Sequence, residues 1–138
     1  VDIALGCSAD GVHIGPDDID YQLARKILGK NKIIGVSTHS FNEVKQVIEL
    51  KPDYFSIGPI FKTTTKLDHP PLGPEIIRKI KVLKTKIPFL AIGGINEKNI
   101  DVLKKYGVER VALTSAIINS KNPEKVVKYL KGGLNENS

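Results

Sequence analysis

Five short, nearly continuous apolar runs alternate with amphipathic helical segments along this 138-residue chain, and that alternation restricts the fold more than any other feature. Gly11–Gly15, Lys32–Ser37, Tyr54–Phe61, Phe89–Ile92 and Arg110–Thr114 read as strands. Strands that are apolar at successive positions are those covered on both faces, the habit of a parallel sheet. The intervening segments carry helical spacing and helix punctuation. Tyr21–Leu28 puts Leu23, Ile27 and Leu28 on one face and stops at Gly29. Ser40-Phe41-Asn42-Glu43 is a capping box, followed by Phe41, Val44, Val47 and Ile48 on one face. Pro74–Leu83 presents Ile76, Ile77, Ile80 and Leu83; Ile100, Leu103 and Tyr106 mark another helix, closed by Gly107. Asn122-Pro123 opens the last helix with a cap residue and a proline, and Val126, Val127 and Leu130 form its inner face. The order is therefore βα repeated five times in one α/β domain spanning residues 1–132, with 133–138 as a polar tail that begins to fray at Gly132. A doubly wound sheet and a (β/α)₈ barrel both fit that order. Five units suffice for the first and fall short of the second.

Composition narrows the function classes. No apolar run approaches the roughly 18 residues of a membrane span. Val1-Asp2-Ile3 has neither the basic start nor the apolar stretch of a signal peptide. The single Cys7 cannot pair within the chain, so a reducing cytoplasmic setting is expected and Cys7 reads as a small filler. The net charge of +6 calls for anionic partners. Most lysines stand singly on helical faces, without a basic run or an aromatic-rich basic motif, which favours phosphorylated small molecules over nucleic acid. The chain contains no methionine, so Val1 is not expected to be the native start.

In either fold, chemistry sits at the C-terminal ends of the strands. After the first strand, Asp17 and Asp18 offer hard oxygen ligands for Mg²⁺, or serve with Asp20 as helix caps. After the second come Ser37, a hydroxyl donor, and His39, a structural histidine or an acid–base group. No carboxylate partner for a Ser–His triad is legible. The third strand runs into Gly58-Pro59-Ile60-Phe61-Lys62-Thr63-Thr64-Thr65-Lys66, where three hydroxyls and a cation suit phosphate oxygens. Gly93-Gly94 after the fourth strand lets a ligand approach the backbone. Thr114-Ser115-Ala116 follows one βα unit later at a helix start. Barrels that bind phosphate use the loops after their last two strands in this way.

Five motifs in one order carry a resemblance: Asp10-Gly11-Val12-His13-Ile14-Gly15, Gly35-Val36-Ser37-Thr38-His39, Gly58-Pro59-Ile60-Phe61 with Thr63-x-Thr65-Lys66, Ala91-Ile92-Gly93-Gly94-Ile95, and Ser115-Ala116-Ile117. Together they resemble the thiamine phosphate synthase family over nearly the whole chain, from Val1 to about Leu130. The resemblance implies a (β/α)₈ barrel that joins hydroxymethylpyrimidine diphosphate to a thiazole phosphate, releasing diphosphate. It implies Asp18 as a Mg²⁺ ligand, with Ser37 and Lys66 on the pyrimidine diphosphate. It implies Thr63, Thr64 and Thr65 on the thiazole phosphate, with Gly94, Thr114 and Ser115 closing the same pocket. Diphosphate departure to a stabilised pyrimidine cation needs a cation, Mg²⁺ and aligned substrates more than acid–base machinery.

Two departures stand out. Pro16 replaces a glutamine common in the family before the acidic pair. The chain also starts where the family's fourth strand begins. The preceding βα units, which carry a Gln-x-Arg-x-Lys motif and an Asn-Asp pair, are then missing. The expectation is an incomplete barrel of about five βα units, strands 4–8 of the family, inactive or weak alone and completed by an N-terminal segment or by self-association. Two other readings compete: a thiazole tautomerase-like isomerase of the same pathway, and a non-catalytic phosphate-binding or assembly module. The intact Gly58-Pro59-Ile60 with Thr63-x-Thr65-Lys66 favours the synthase over the first.

Overall fold

The structure, a computed structural model, describes residues 1–63 and 69–135. Seven helices and five strands follow one another among them: α1 (Asp2–Gly6), β1 (Gly11–Ile14), α2 (Tyr21–Leu28), β2 (Ile33–Thr38), α3 (Phe41–Leu50), β3 (Tyr54–Ile57), α4 (Glu75–Val82), β4 (Phe89–Ile92), α5 (Ile100–Lys105), β5 (Val111–Ala112), α6 (Ser115–Ile118) and α7 (Pro123–Asn135). The strands form one parallel sheet in the order β1-β2-β3-β4-β5. A doubly wound sheet reverses its strand order at a switch point. Here there is no reversal. Crossovers of one hand that always step the same way leave every helix on one side.

Register and alternation then assign the two faces. His13 pairs with Gly35 and Gly35 with Tyr54, while Ser37 pairs with Ser56. These residues share one face with Leu90, Ile92 and Ala112. Ile14, Ile34, Phe55, Ile57 and Ala91 point the other way and are buried under the helices. Against them pack Val44 and Val47 of α3, Ile76, Ile77 and Ile80 of α4, Ile100 and Leu103 of α5, and Val126 and Leu130 of α7. Tyr21, Ala24 and Leu28 of α2 cover Ile14 and Ile34. Each fully buried aliphatic side chain contributes about 1.5–3 kcal/mol, so this layer holds the sheet.

The capping box ahead of α3 forms with one shift. Glu43 N–H donates to Ser40 Oγ at 3.2 Å, but the Glu43 carboxylate accepts from His39 N–H at 2.8 Å, one residue upstream of the usual partner. Asn122 caps α7 by accepting from Lys125 N–H at 3.0 Å.

Several details differ from the sequence expectation, among them the fifth strand, which is confined to Val111–Ala112. On α2, Leu23 and Ile27 are 48% and 45% exposed, and Tyr21, Ala24 and Leu28 face inward instead. The third strand stops at Ile57, because Pro59 brings no N–H to the ladder. A short helix, α1, precedes the first strand and buries none of its residues. Helix α7 continues past Gly132 to Asn135, beyond the expected onset of the tail.

At the other end of the sheet Asp53 ties three elements. Its carboxylate accepts from Ile34 N–H at 2.7 Å and from the Arg25 guanidinium, which also donates to the carbonyls of Gly29 and Lys32. Burial pushes the Asp53 carboxyl up, but the Ile34 N–H and Arg25 outweigh it and hold it below the usual carboxylate value. A depressed native pKa stabilises the fold above the unfolded value and loses that effect as pH falls through the native one. Asp53→Asn should therefore lower stability at pH 7 by about 1 kcal/mol, a modest figure because the pair is partly solvated. In urea unfolding series the difference from the parent should shrink as pH drops below 3.8. An unchanged pH profile would exclude this role.

Candidate functional site

The C-terminal ends of the strands enclose a cavity of about 300 Å³. Ser37 and His39 reach it from β2 and its following loop, and Ser56, Gly58 and Thr63 from β3 and the loop beyond. Gly93 and Gly94 follow β4, and Thr114 and Ser115 follow β5. A larger cleft of about 500 Å³ at the opposite end is lined by Lys81, Lys84, Lys86, Arg110 and Glu109, with Thr85, whose hydroxyl already accepts from Ile87 N–H, and apolar neighbours. It lacks converging hydroxyls and lies where parallel sheets do not bind ligands.

A polar network floors the smaller cavity. His13 Nδ1 lies 3.0 Å from Tyr54 Oη, and His13 Nε2 lies 2.8 Å from Ser37 Oγ. Ser56 Oγ is 3.5 Å from the same nitrogen. These partners meet because Gly35, between His13 and Tyr54 in the ladder, has no side chain. A Cβ there would fall 2.1 Å from the Tyr54 ring and 2.5 Å from His13 Nδ1. Burial pushes the Tyr54 phenol up, so it keeps its proton. If that O–H donates to Nδ1, Nε2 carries the imidazole proton and donates to Ser37 Oγ. The Ser37 hydroxyl hydrogen is then available to an oxygen in the cavity.

The opposite wall is backbone against backbone. Ile60 N–H donates to Ile92 O at 2.9 Å and Phe61 N–H to Gly93 O at 3.1 Å. Gly93 and Gly94 have φ of 94° and 66°, in the region that favours glycine. A Cβ on Gly93 would meet Pro59 at 2.5 Å, and one on Gly94 would meet Lys62 O at 2.4 Å. The glycine pair expected to open the backbone to a ligand is required here by the neighbouring loop, whose Pro59, Phe61 and Lys62 occupy the space a Cβ would need.

His39 Nδ1 lies 2.7 Å from Gly58 O, and a carbonyl accepts, so Nδ1 carries the proton. His39 Nε2 is buried and has no hydrogen-bond partner among the described residues. Its ring stacks on His69 at 4.2 Å between centroids.

Of the residues singled out from sequence, Ser37, Thr63, Gly94, Thr114 and Ser115 come together around the cavity. Thr64, Thr65 and Lys66 lie outside the described residues. Asp18 sits in the β1–α2 loop at the same end of the sheet, where its Oδ2 accepts from Gly15 N–H at 2.7 Å, but it does not line the cavity. Asp20 is the helix cap, accepting from the N–H groups of Gln22 and Leu23. Among the described residues no cluster of three or more His, Cys, Asp or Glu side chains could hold a metal. Were Mg²⁺ held at this end of the sheet, Asp18 would supply one carboxylate, and phosphate oxygens would supply other ligands. Sequence reasoning gave no role to His13, Ser56, Asn96 or Asn99. The signal for His13 was present: it is the polar residue between apolar Val12 and Ile14, and so belongs to the opposite face.

A one-way parallel sheet backed by helices, with a cavity at the C-terminal ends of its strands, places the chain in the α/β class whose architecture resembles that of the barrel enzymes. The family model described as thiamine monophosphate synthase matches residues 1–117, and the chain belongs to that family. It is 48% identical over 133 residues to a thiamine-phosphate synthase of Prochlorococcus marinus, covering 96% of this chain and 38% of that one. It is 43% identical over 132 residues to that of Lysinibacillus sphaericus, covering 95% and 62%. Among solved structures, thiamine phosphate pyrophosphorylase from Pyrococcus furiosus superposes with a TM-score of 0.86 at 37% identity, over 98% of this chain and 64% of that one. A 3-hexulose-6-phosphate synthase at 20% identity and TM-score 0.64 shares the fold alone. The chain thus spans between 38% and 64% of the length of these thiamine phosphate relatives. No helix among the described residues is long and apolar enough to cross a membrane.

The Gly35 gap can be tested directly. Gly35→Ala should force Tyr54 and His13 apart and lower stability by about 1–3 kcal/mol. It should also change the His13 imidazole ¹⁵N shifts. Tyr54→Phe should reproduce the imidazole change with less loss of stability. Unaltered His13 shifts in both variants would show that the network does not set its tautomer.

Proposed function

We propose that this chain is the substrate-holding portion of a thiamine phosphate synthase. That enzyme condenses hydroxymethylpyrimidine diphosphate with thiazole phosphate to give thiamine phosphate and diphosphate. The observation that carries the reading is the meeting of Ser37, Thr63, Gly94, Thr114 and Ser115 around one cavity, since these residues stand far apart in sequence. In this reading the five strands are strands 4–8 of a barrel, and the open sheet face carrying His13 and Tyr54 is part of its lumen. The remaining βα units come from an N-terminal segment or an associating chain, and the protein works in the cytoplasm.

The roles follow from residue chemistry. Thr63, Thr64 and Thr65, with the backbone at Gly94 and the hydroxyls of Thr114 and Ser115, hold the thiazole phosphate. Ser37, oriented by His13, donates to the pyrimidine diphosphate, and Lys66 sets a point charge beside it. Asp18 contributes one carboxylate to Mg²⁺, which when bound stabilises charge on the departing diphosphate. The C–O bond to diphosphate breaks with its electron pair leaving on oxygen. The thiazole nitrogen then forms the C–N bond to the pyrimidine methylene. What this site contributes is alignment and charge complementarity.

Calorimetric titration of the chain with thiazole phosphate, followed by assay with both substrates, tests this reading. Binding by the chain alone is expected, with turnover once the missing units of a family member are supplied in trans. Lys66→Ala should then reduce kcat by about a hundredfold while leaving thiazole phosphate affinity close to that of the parent. Binding without turnover in the completed protein would leave a non-catalytic phosphate-binding module. Robust turnover by the chain alone would remove the need for a complementing segment.

A further inference from the structure

Asn99 occupies the residue before α5, where an amide side chain ordinarily caps its own helix. It makes no such bond. Instead Asn99 Nδ2 donates back to Gly94 O at 2.9 Å, and its Oδ1 accepts from Asn96 N–H at 2.8 Å. Asn96 Nδ2 donates to the same Gly94 carbonyl at 3.1 Å, while its Oδ1 accepts from Lys98 N–H at 2.9 Å. One carbonyl at the lip of the cavity therefore receives two side-chain amides, both from residues that do not line the cavity themselves.

The consequence lies in the peptide planes. In a trans peptide the C=O and the next N–H point in opposite directions. Phe61 N–H anchors Gly93 O, and the two asparagines anchor Gly94 O. The N–H groups of Gly94 and Ile95 are then turned to the other sides of two anchored planes. Gly94 and Ile95 both line the cavity, and with Gly93 and Gly94 at positive φ the turn suits a concave pair of N–H groups that receives an anion.

We infer that Asn99, assisted by Asn96, is a positioning residue: by holding the Gly94 carbonyl it aims the Ile95 N–H, next to the Gly94 N–H that the Phe61–Gly93 bond orients, at the phosphate of the bound thiazole. The inference rests on the functional reading above for the identity of that ligand, and on the hydrogen-bond geometry for the role of the asparagines. It assigns Asn99 to affinity for the phosphoryl group, not to the bond-making step.

The decisive variant is Asn99→Asp, which keeps an acceptor for Asn96 N–H but removes the donor to Gly94 O. Asn96→Asp removes the longer of the two bonds and serves if the first variant folds poorly. Each is titrated with thiazole phosphate, with the dephosphorylated thiazole alcohol, and with inorganic phosphate, while ¹H–¹⁵N spectra follow Gly94 and Ile95. The parent's Gly94 and Ile95 amides should shift on phosphate binding. Asn99→Asp should weaken thiazole phosphate and inorganic phosphate by about tenfold and leave the alcohol's affinity unchanged. An equal loss for the alcohol would mean a merely structural effect and would overturn the inference. So would parent-like phosphate affinity and amide shifts in Asn99→Asp. If the parent binds inorganic phosphate at these amides but not thiazole phosphate, the functional reading fails while the positioning role is upheld. If the parent binds neither anion, both fail.

Discussion

The close contact between the chain leaving β3 and the chain leaving β4 is the constraint on which the cavity depends. Gly58 lies against Ile92, Gly93 against Pro59 and Gly94 against Phe61 and Lys62, at distances no Cβ could occupy. Two backbone hydrogen bonds seal the contact. Because both segments leave the sheet at its C-terminal edge, their joint direction decides where Thr63 enters the cavity. It also decides which way the Gly93 and Gly94 carbonyls face. The asparagines before α5 and the threonine-bearing loop thus act on one turn from opposite sides.

A second absence of side chain governs the floor. Gly35 opens a gap in the middle strand through which His13 and Tyr54 reach each other across the sheet. Such a gap leaves the helix-facing side undisturbed, where Ile34 and Phe55 remain buried. The same three strands therefore carry an apolar face that stabilises and a polar face that can bind. The division follows from the two-residue period of a strand.

Much of this was legible in the residues. Apolar runs separated by helical spacing gave the parallel α/β class, and the ends of those runs gave Ser37, Thr63, Gly94, Thr114 and Ser115 as neighbours to be. Local rules located the caps at Ser40 and Asn122, since capping depends on residues within a turn of one another. The reading failed where the deciding partner is remote in sequence. Leu23 and Ile27 match Leu28 in hydrophobicity, but the position of β1 and β2 turns Tyr21, Ala24 and Leu28 inward. Asn99 drew no role from the sequence for a different reason: its partner Gly94 is near in the chain, but only the folded turn brings its amide back to that carbonyl.

By itself, then, the sequence determined the element types, the parallel sheet and the edge of that sheet where chemistry gathers, because backbone propensity and hydrophobic period act over a few residues. Tertiary structure decided the strand order that the βα pattern had left open between two folds, and it alone set the His13–Ser37 and His13–Tyr54 pairs and the close approach that orients the Gly93-Gly94 turn. Those depend on register and on which atoms are excluded from shared space, quantities that exist only once distant strands lie side by side.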